Sequence, residues 1–346
     1  MMHTNFLVGL RSIRLLAICT MCCLASSASA QSKQISAPFE ESITERQITR
    51  KVFIPPSDKT LVIIGQDHTN IKNYVDAIKV APAGVSAITS IEFAEGLESL
   101  DDSGLGIQFA SQTLNQYPQA ILLLGITMKN VEEKIFSGDL DPNIEYIADW
   151  IKKSKRPILL RLGYEFDFPE NHYIPEKYVR AYRYVVDLFN QLGVQNVRYV
   201  WHSYASTVLR PHDDWYPGDQ YVDWFGVSYY AQSPQYMNRF IRLAQQKNKP
   251  VMVAEASPWR WPASKGKKTW NEWFAPFFQF VKSNNIKAFN YINCNWDDLP
   301  AYENMGWGDA RIQSNKTLQG LWLEEINKPF YLHSNDGLFD LLMREN

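Results

Sequence analysis

The chain has 346 residues, 45% hydrophobic and 21% charged. That is enough apolar material for a substantial core, and it excludes the disordered and collagen-like classes. The 35 Lys and Arg nearly balance the 37 Asp and Glu, leaving a formal charge of -2, and no basic run occurs, so nothing marks a nucleic-acid partner.

Arg11 and Arg14 precede the apolar stretch 15–25, and Ala28-Ser29-Ala30 follows it. This is the pattern of a signal peptide over residues 1–30. The run falls short of the roughly 20 residues of a membrane span, and its small residues predict cleavage after Ala30. The expected location is secreted or periplasmic, with no membrane association after cleavage. Cys19, Cys22 and Cys23 lie in this segment without a good lipid-attachment context, and their removal leaves Cys294 without an internal disulfide partner. Residues 31–56 are polar, close on Pro55-Pro56 and read as a lead-in segment that packs on the surface or frays.

From residue 57 onward, short apolar runs alternate with stretches of helical periodicity. The runs are 61–65, 85–91, 120–125, 157–164, 197–201, 224–229, 251–255 and 288–293. Eight strands spaced by about 30 residues are the βα steps of a single-domain (β/α)8 TIM barrel over 57–346. The helices between them show clearly in two places. Ile144, Ile147, Ala148 and Ile151 share one face of 143–152, and Tyr178, Val179, Tyr182, Val185, Val186, Phe189 and Leu192 line another before Gly193. A doubly wound open sheet would alternate in the same way, but Ser103-Gly104-Leu105-Gly106 has the wrong continuation for a dinucleotide loop.

In a parallel barrel, chemistry sits at the C-terminal strand ends. Two carboxylates end apolar strands there, Glu165 after 157–164 and Glu255 after 250–254. A retaining glycosidase needs such a pair roughly 5 Å apart, one ionised to attack and one protonated to donate, their pKa values separated by burial and mutual repulsion. Arg161 shares the inward phase of Glu165 and is placed either to hold a catalytic carboxylate or to form a structural ion pair. Of the 11 tryptophans only Trp150 precedes position 200, and Trp201, Trp259, Trp261, Trp296 and Trp307 fall at or beyond strand ends, as a sugar cleft requires. His202 either lines the cleft or caps a loop. The histidines outside the leader (His68, His172, His202, His212, His333) lack metal-ligand spacing, Gly-x-Ser-x-Gly is absent, and no metal or organic cofactor is implied.

These residues resemble glycoside hydrolase family 26. The stretch from Arg161 to Asp167 (Arg-Leu-Gly-Tyr-Glu-Phe-Asp) is similar to the family's acid/base segment. Tyr216 to Asp223 (Tyr-Pro-Gly-Asp-Gln-Tyr-Val-Asp) is similar to the motif before its sixth strand, and Lys249 to Glu255 to its nucleophile strand. The resemblance runs from about Asp141 to Glu255 and more weakly to Trp296. It implies Glu255 as nucleophile, Glu165 as acid/base, and Tyr230 and Arg161 as residues that orient the nucleophile.

Candidate substrate contacts are Tyr164, Trp201, His202, Trp259, Trp296 and Asp297. The sequence departs from the family pattern at Tyr164 (His in the family), Asp167 (Asn) and Ser228 (Asp), and 168–172 replaces a Gly-x-Trp. The resemblance implies an endo-acting enzyme on a β-linked polysaccharide: mannan, mixed-linkage or β-1,3-glucan, or xylan. A carbohydrate-binding barrel without strong catalysis is the alternative, and a transglycosylase on the same carboxylates a third reading.

Overall fold

All eight apolar runs become strands of one parallel sheet in the computed structural model, which describes residues 52–205, 212–231 and 234–344. They are β1 (Thr60–Gly65), β2 (Gly84–Ser90), β3 (Ile121–Thr127), β4 (Ile158–Leu162), β5 (Val197–Ser203), β6 (Trp224–Tyr229), β7 (Val251–Ala256) and β8 (Ala288–Ile292). Each pairs with the next in chain order, and β1 pairs with both β2 and β8, so the sheet closes into a barrel rather than remaining open. A two-residue β9 (Tyr331–Leu332) adds to β1 in parallel and is too short to leave a sequence pattern.

Nine α-helices of five or more residues are described: α1 (His68–Ile78), α2 (Ala110–Gln116), α3 (Glu132–Phe136), α4 (Asp141–Ser154), α5 (Pro175–Gln191), α6 (Pro234–Gln246), α7 (Ala275–Ser283), α8 (Lys316–Ile326) and α9 (Leu338–Met343). In α4 and α5 the apolar stripe read from the sequence is the buried face, with Ile144, Ile147 and Ile151 in one and Tyr178, Tyr182, Val185 and Phe189 in the other. Between β5 and β6 the described residues hold only the 3₁₀ turn His212–Trp215.

The barrel interior is divided along its axis. Towards the strand starts it is apolar, with Leu61, Ile63, Leu123, Leu159, Val200, Trp224, Met252 and Ala288 in one buried cluster. Towards the strand ends it becomes polar, and glycines make the room. A Cβ on Gly125 would lie 2.9 Å from Nη2 of Arg161, and one on Gly65 would collide with Oγ of Ser86 and Oδ1 of Asn290. Large polar side chains therefore occupy the upper layer because their neighbours have no side chain.

The polar lead-in departs from expectation at its described end. Residues 31–51, like the 1–30 leader and its cleavage site, lie outside the described residues, whereas Phe53 is buried in the apolar cluster with Leu338 and Leu342 of α9. The indole of Trp224 donates to the carbonyl of Val52 (2.8 Å), and the guanidinium of Arg198 lies 4.4 Å from the Phe53 ring. The segment plugs the floor of the barrel because the open lower end of the sheet exposes apolar side chains that need cover. Phe53→Ala is expected to cost about 3–5 kcal/mol, read as a lower urea midpoint at unchanged m; an unshifted midpoint would contradict the plug.

Candidate active site

Strand β4 delivers its polar residues by breaking its own geometry. Arg161 points into the barrel, and the chain then leaves the sheet through Gly163 (φ 56°) and Glu165 (φ 50°). A non-glycine residue in the left-handed region is strained by about 1–3 kcal/mol and persists only where its surroundings hold it. Nδ2 of Asn171 donates to the carbonyl of Glu165 (2.9 Å) and to that of Tyr164 (3.2 Å), and the amide of Phe168 also donates to Glu165 (2.9 Å). Next along, Phe166 stacks on Trp201 at 4.6 Å, and Asp167 accepts from Oγ of Ser203 (2.6 Å) and the amide of Tyr204 (2.7 Å). These bonds lock the loop to the end of β5, with Glu165 turned into the mouth.

Strand β7 reaches the mouth by an irregularity. Met252 and Ala254 face the interior, so strict alternation would send Glu255 outward. The pairing with β6 slips between Val227 and Ser228, placing Ser228 opposite Glu255, and the pairing with β8 slips over the same stretch. Such a bulge re-aims one side chain. The carboxylate of Glu255 then accepts from Nη1 of the fully buried Arg161 at Oε1 and from the Tyr230 hydroxyl at Oε2. Tyr230 is positioned in turn by the indole of Trp273, which donates to its carbonyl (2.7 Å).

The second carboxylate has different surroundings. Oε1 of Glu165 accepts from Oγ of Ser228 (2.5 Å), and Ser228 is also bonded to Nε2 of His202 (3.0 Å). Burial, and then the charge of Glu255, hold the Glu165 carboxyl well above the usual carboxylate range; Ser228 and Arg161 pull it back only in part. Both carboxyls are buried, but Glu255 sits between a guanidinium and a phenol while Glu165 accepts from a serine hydroxyl, the inequality that divides a base or nucleophile from an acid.

The expected substrate contacts scatter. Tyr164 is half-buried, its ring 5.1 Å from the Arg161 guanidinium. Trp259 is half-buried 5.8 Å from Trp307, with Arg260 stacked over it at 4.0 Å. Trp296 is buried, its indole donating to Ser257 (2.7 Å), and it props Tyr302 (4.5 Å) and Trp307 (4.7 Å). Trp307 also packs against Tyr230 at 5.1 Å. Asp297 is exposed and accepts from the amide of Gly308 (3.2 Å), tying the loop after β8 to itself.

Two placements correct the sequence reading. Trp201 is enclosed on the helix-facing side of β5 between Phe166, Phe225 and Phe240, so it offers no ring to a ligand. Its neighbours Val200 and His202 take the inward phase, and the odd residue between them must face the helices. His202 neither lines a cleft nor caps a loop; it is buried inside the barrel against Ser228. Asn171 and Tyr302 are not among the site residues read from the sequence, and Ser228 appears there only as a departure from the family pattern. Besides that departure, the signal for Ser228 is its inward phase with Trp224 and Gly226 on β6.

A parallel (β/α)8 barrel with two buried carboxylates meeting at its C-terminal mouth is the architecture of a retaining glycoside hydrolase. Residues 109–288 match the model of glycosyl hydrolase family 26. A β-1,3-xylanase of a Vibrio species is 31% identical over 313 residues, covering 82% of this chain and 68% of that protein; one of an Alcaligenes species is also 31% identical, at 82% and 67%. In structure, a family 26 β-mannanase of Bacteroides ovatus superposes with a TM-score of 0.60 at 14% identity, covering 84% of this chain and 94% of that one. A modular endo-β-1,4-mannanase of Cellulomonas fimi gives 0.59 at 16%, covering 82% and 74%. The chain belongs to glycosyl hydrolase family 26 and is a glycoside hydrolase.

Because the Glu165 carboxyl is held above its unfolded value, its proton stabilises the native state fully below the unfolded pKa, and that contribution is lost as pH rises through the folded one. Glu165→Gln, which cannot ionise, is therefore expected to raise Tm more at pH 8 than at pH 4 in thermal melts. Equal gains at both pH values would refute the buried-acid account. Gly125→Ala is expected to displace Arg161 and lower kcat/KM by roughly a hundredfold in a folded protein; an unchanged rate would show that the guanidinium has room to move.

Proposed function

We propose that the protein is an exported, retaining β-1,3-xylanase that cuts within its polysaccharide, with Glu255 as nucleophile and Glu165 as acid/base. The asymmetry of the two carboxylates carries the reading: Glu255 accepts from Arg161 and Tyr230, whereas burial and the charge of Glu255 favour a proton on Glu165. Glu255 attacks the anomeric carbon as Glu165 protonates the departing oxygen. Glu165, now ionised, takes a proton from water, whose oxygen attacks the same carbon and releases Glu255. Arg161 and Tyr230 keep the attacking oxygen aligned.

The choice of sugar is supported by the relatives. Two β-1,3-xylanases reach 31% identity over most of this chain, while the mannanase structures stand at 14–16%. The geometry adds an argument from space. Tyr302 packs with Trp296 and Trp307 in a ring cluster that reaches Tyr230, so aromatic rings lie beside the Glu255 side of the mouth. A xylose ring, which lacks the hydroxymethyl arm of a hexose, needs less room there. Half-buried Trp259 and Trp307 offer rings to further sugars, and the leader pattern at 11–30 supports action outside the cytoplasm.

The test is reducing-end release from β-1,3-xylan, β-1,4-xylan, mannan, β-1,3-glucan and mixed-linkage glucan, with product sizes. β-1,3-Xylan is expected to be cut fastest, to a ladder of oligosaccharides. Glu165→Ala should lose about 10²–10⁴-fold in rate, and Glu255→Ala should be inactive. Binding of glycans without any release, or full activity in either variant, would overturn the mechanism; a different preferred polysaccharide would overturn only the substrate.

A further inference from the structure

Two side chains beneath Glu165 have no part in the chemistry described so far. Ser228 and His202 are both completely buried, on the inward face of β6 and β5. They form a linear series: Nε2 of His202 lies 3.0 Å from Oγ of Ser228, which lies 2.5 Å from Oε1 of Glu165. A serine hydroxyl has one proton. If that proton is given to Glu165, the hydroxyl oxygen must accept from the imidazole, so the proton of a neutral His202 sits on Nε2. Nδ1 is then the bare nitrogen, and it is indeed buried without a hydrogen-bond partner.

We propose that His202 and Ser228 are positioning residues for Glu165: the chain from His202 Nε2–H through Ser228 Oγ–H occupies Oε1 and reserves Oε2 for the proton passed to the leaving group. The inference rests on Glu165 being the acid/base. In the first step the chain prevents the acid from directing its proton down into the barrel. In the second it donates to the carboxylate that has just lost its proton, so the same group can act as base. No covalent bond changes within the chain, and the proton transferred to the leaving oxygen is that of Oε2.

One condition favours this arrangement. His202 must stay neutral, and burial, with Arg161 nearby, holds its pKa well below the usual imidazole range. The other groups facing Glu165 bear on its titration, the Glu255 carboxylate most of all. These are Arg161 from β4, Glu255 from β7, Asp167 on its own loop, and Tyr164, Tyr204, Tyr230 and Tyr302 around the mouth. Burial pushes all four tyrosines up, with Tyr204 at about 12 and the others higher in direction, so none ionises in the working range.

The chain stabilises the ionised form of Glu165, so removing it must raise the pKa of that group. The experiment is the pH profile of kcat/KM for wild type, Ser228→Ala, Ser228→Thr and His202→Phe, on whichever polysaccharide of the panel the wild type cuts fastest. The alkaline limb reports the acid. It is expected to move up by roughly one pH unit in Ser228→Ala, a shift of the size one hydrogen bond to a charged group supplies. His202→Phe, which keeps an aromatic ring but removes the donor, is expected to move it less in the same direction, and Ser228→Thr to restore it.

A limb that stays in place in both Ser228→Ala and His202→Phe, or moves down in either, overturns the proposal, even if the rate falls at every pH as a purely structural role would cause. Glu165→Ala separates the two levels. If it retains activity, the acid/base assignment itself fails; if it is impaired while the limb of Ser228→Ala stays put, only the chain fails. Should Ser228→Ala prove too unstable to assay, His202→Phe decides, because it removes the donor at the far end of the chain and leaves Ser228 in place.

Discussion

A guanidinium buried inside a barrel is expensive, and much of the upper architecture follows from accommodating Arg161. It has no exposed surface, and of its nitrogens Nη1 pairs with Glu255 while Nε and Nη2 have no protein partner. Removing one member of a buried ion pair leaves an uncompensated charge, typically about 3–5 kcal/mol of destabilisation. The pair thus fixes Glu255 in place as firmly as packing fixes a core leucine. Gly125 leaves space for the guanidinium, and the Tyr164 ring lies 5.1 Å from it. The polar layer is tolerated because the apolar layer beneath it, closed from below by Phe53 and α9, carries the stability.

Both carboxylates arrive by departures from regular structure. Glu165 stands in a left-handed backbone conformation held by Asn171 and Phe168, and Glu255 is turned inward by slipped pairing on both sides of β7. Residues that violate local preferences and are restrained from several directions gather where a protein must place reacting atoms. The strain is local. Immediately beyond it, Phe166 and Asp167 fasten the loop to β5, so the acid stands on a rigid support rather than on a swinging loop.

The aromatic wall divides into two kinds of ring. Trp201 and Trp296 are buried and act as supports, one beneath Phe166 and the other beneath Tyr302 and Trp307. Trp259, Trp307 and Tyr302 retain open surface. Trp307 also touches Tyr230, whose hydroxyl donates to Glu255, so this wall and the hydroxyl that meets Glu255 belong to one cluster.

Much of this was legible in the chain itself. Apolar runs of 5–8 residues with a helical stripe between them, and no dinucleotide loop, favour a parallel barrel over an open sheet, and the strand starts and ends were read to within a few residues. Glu165 and Glu255 were legible as acids at apolar strand ends, and Arg161 by its phase with Glu165. What the sequence could not decide was orientation wherever the backbone departs from period two. The bulge that turns Glu255 inward depends on pairing with β6 and β8, and the burial of Trp201 depends on Phe166 and Phe240 reaching it from 35 residues back and 39 ahead. The His202–Ser228–Glu165 series joins three strand ends, β5, β6 and the exit of β4. The sequence determined which residues are available at the mouth; barrel closure decided which of them meet, because contact across strands is set by register and not by distance along the chain.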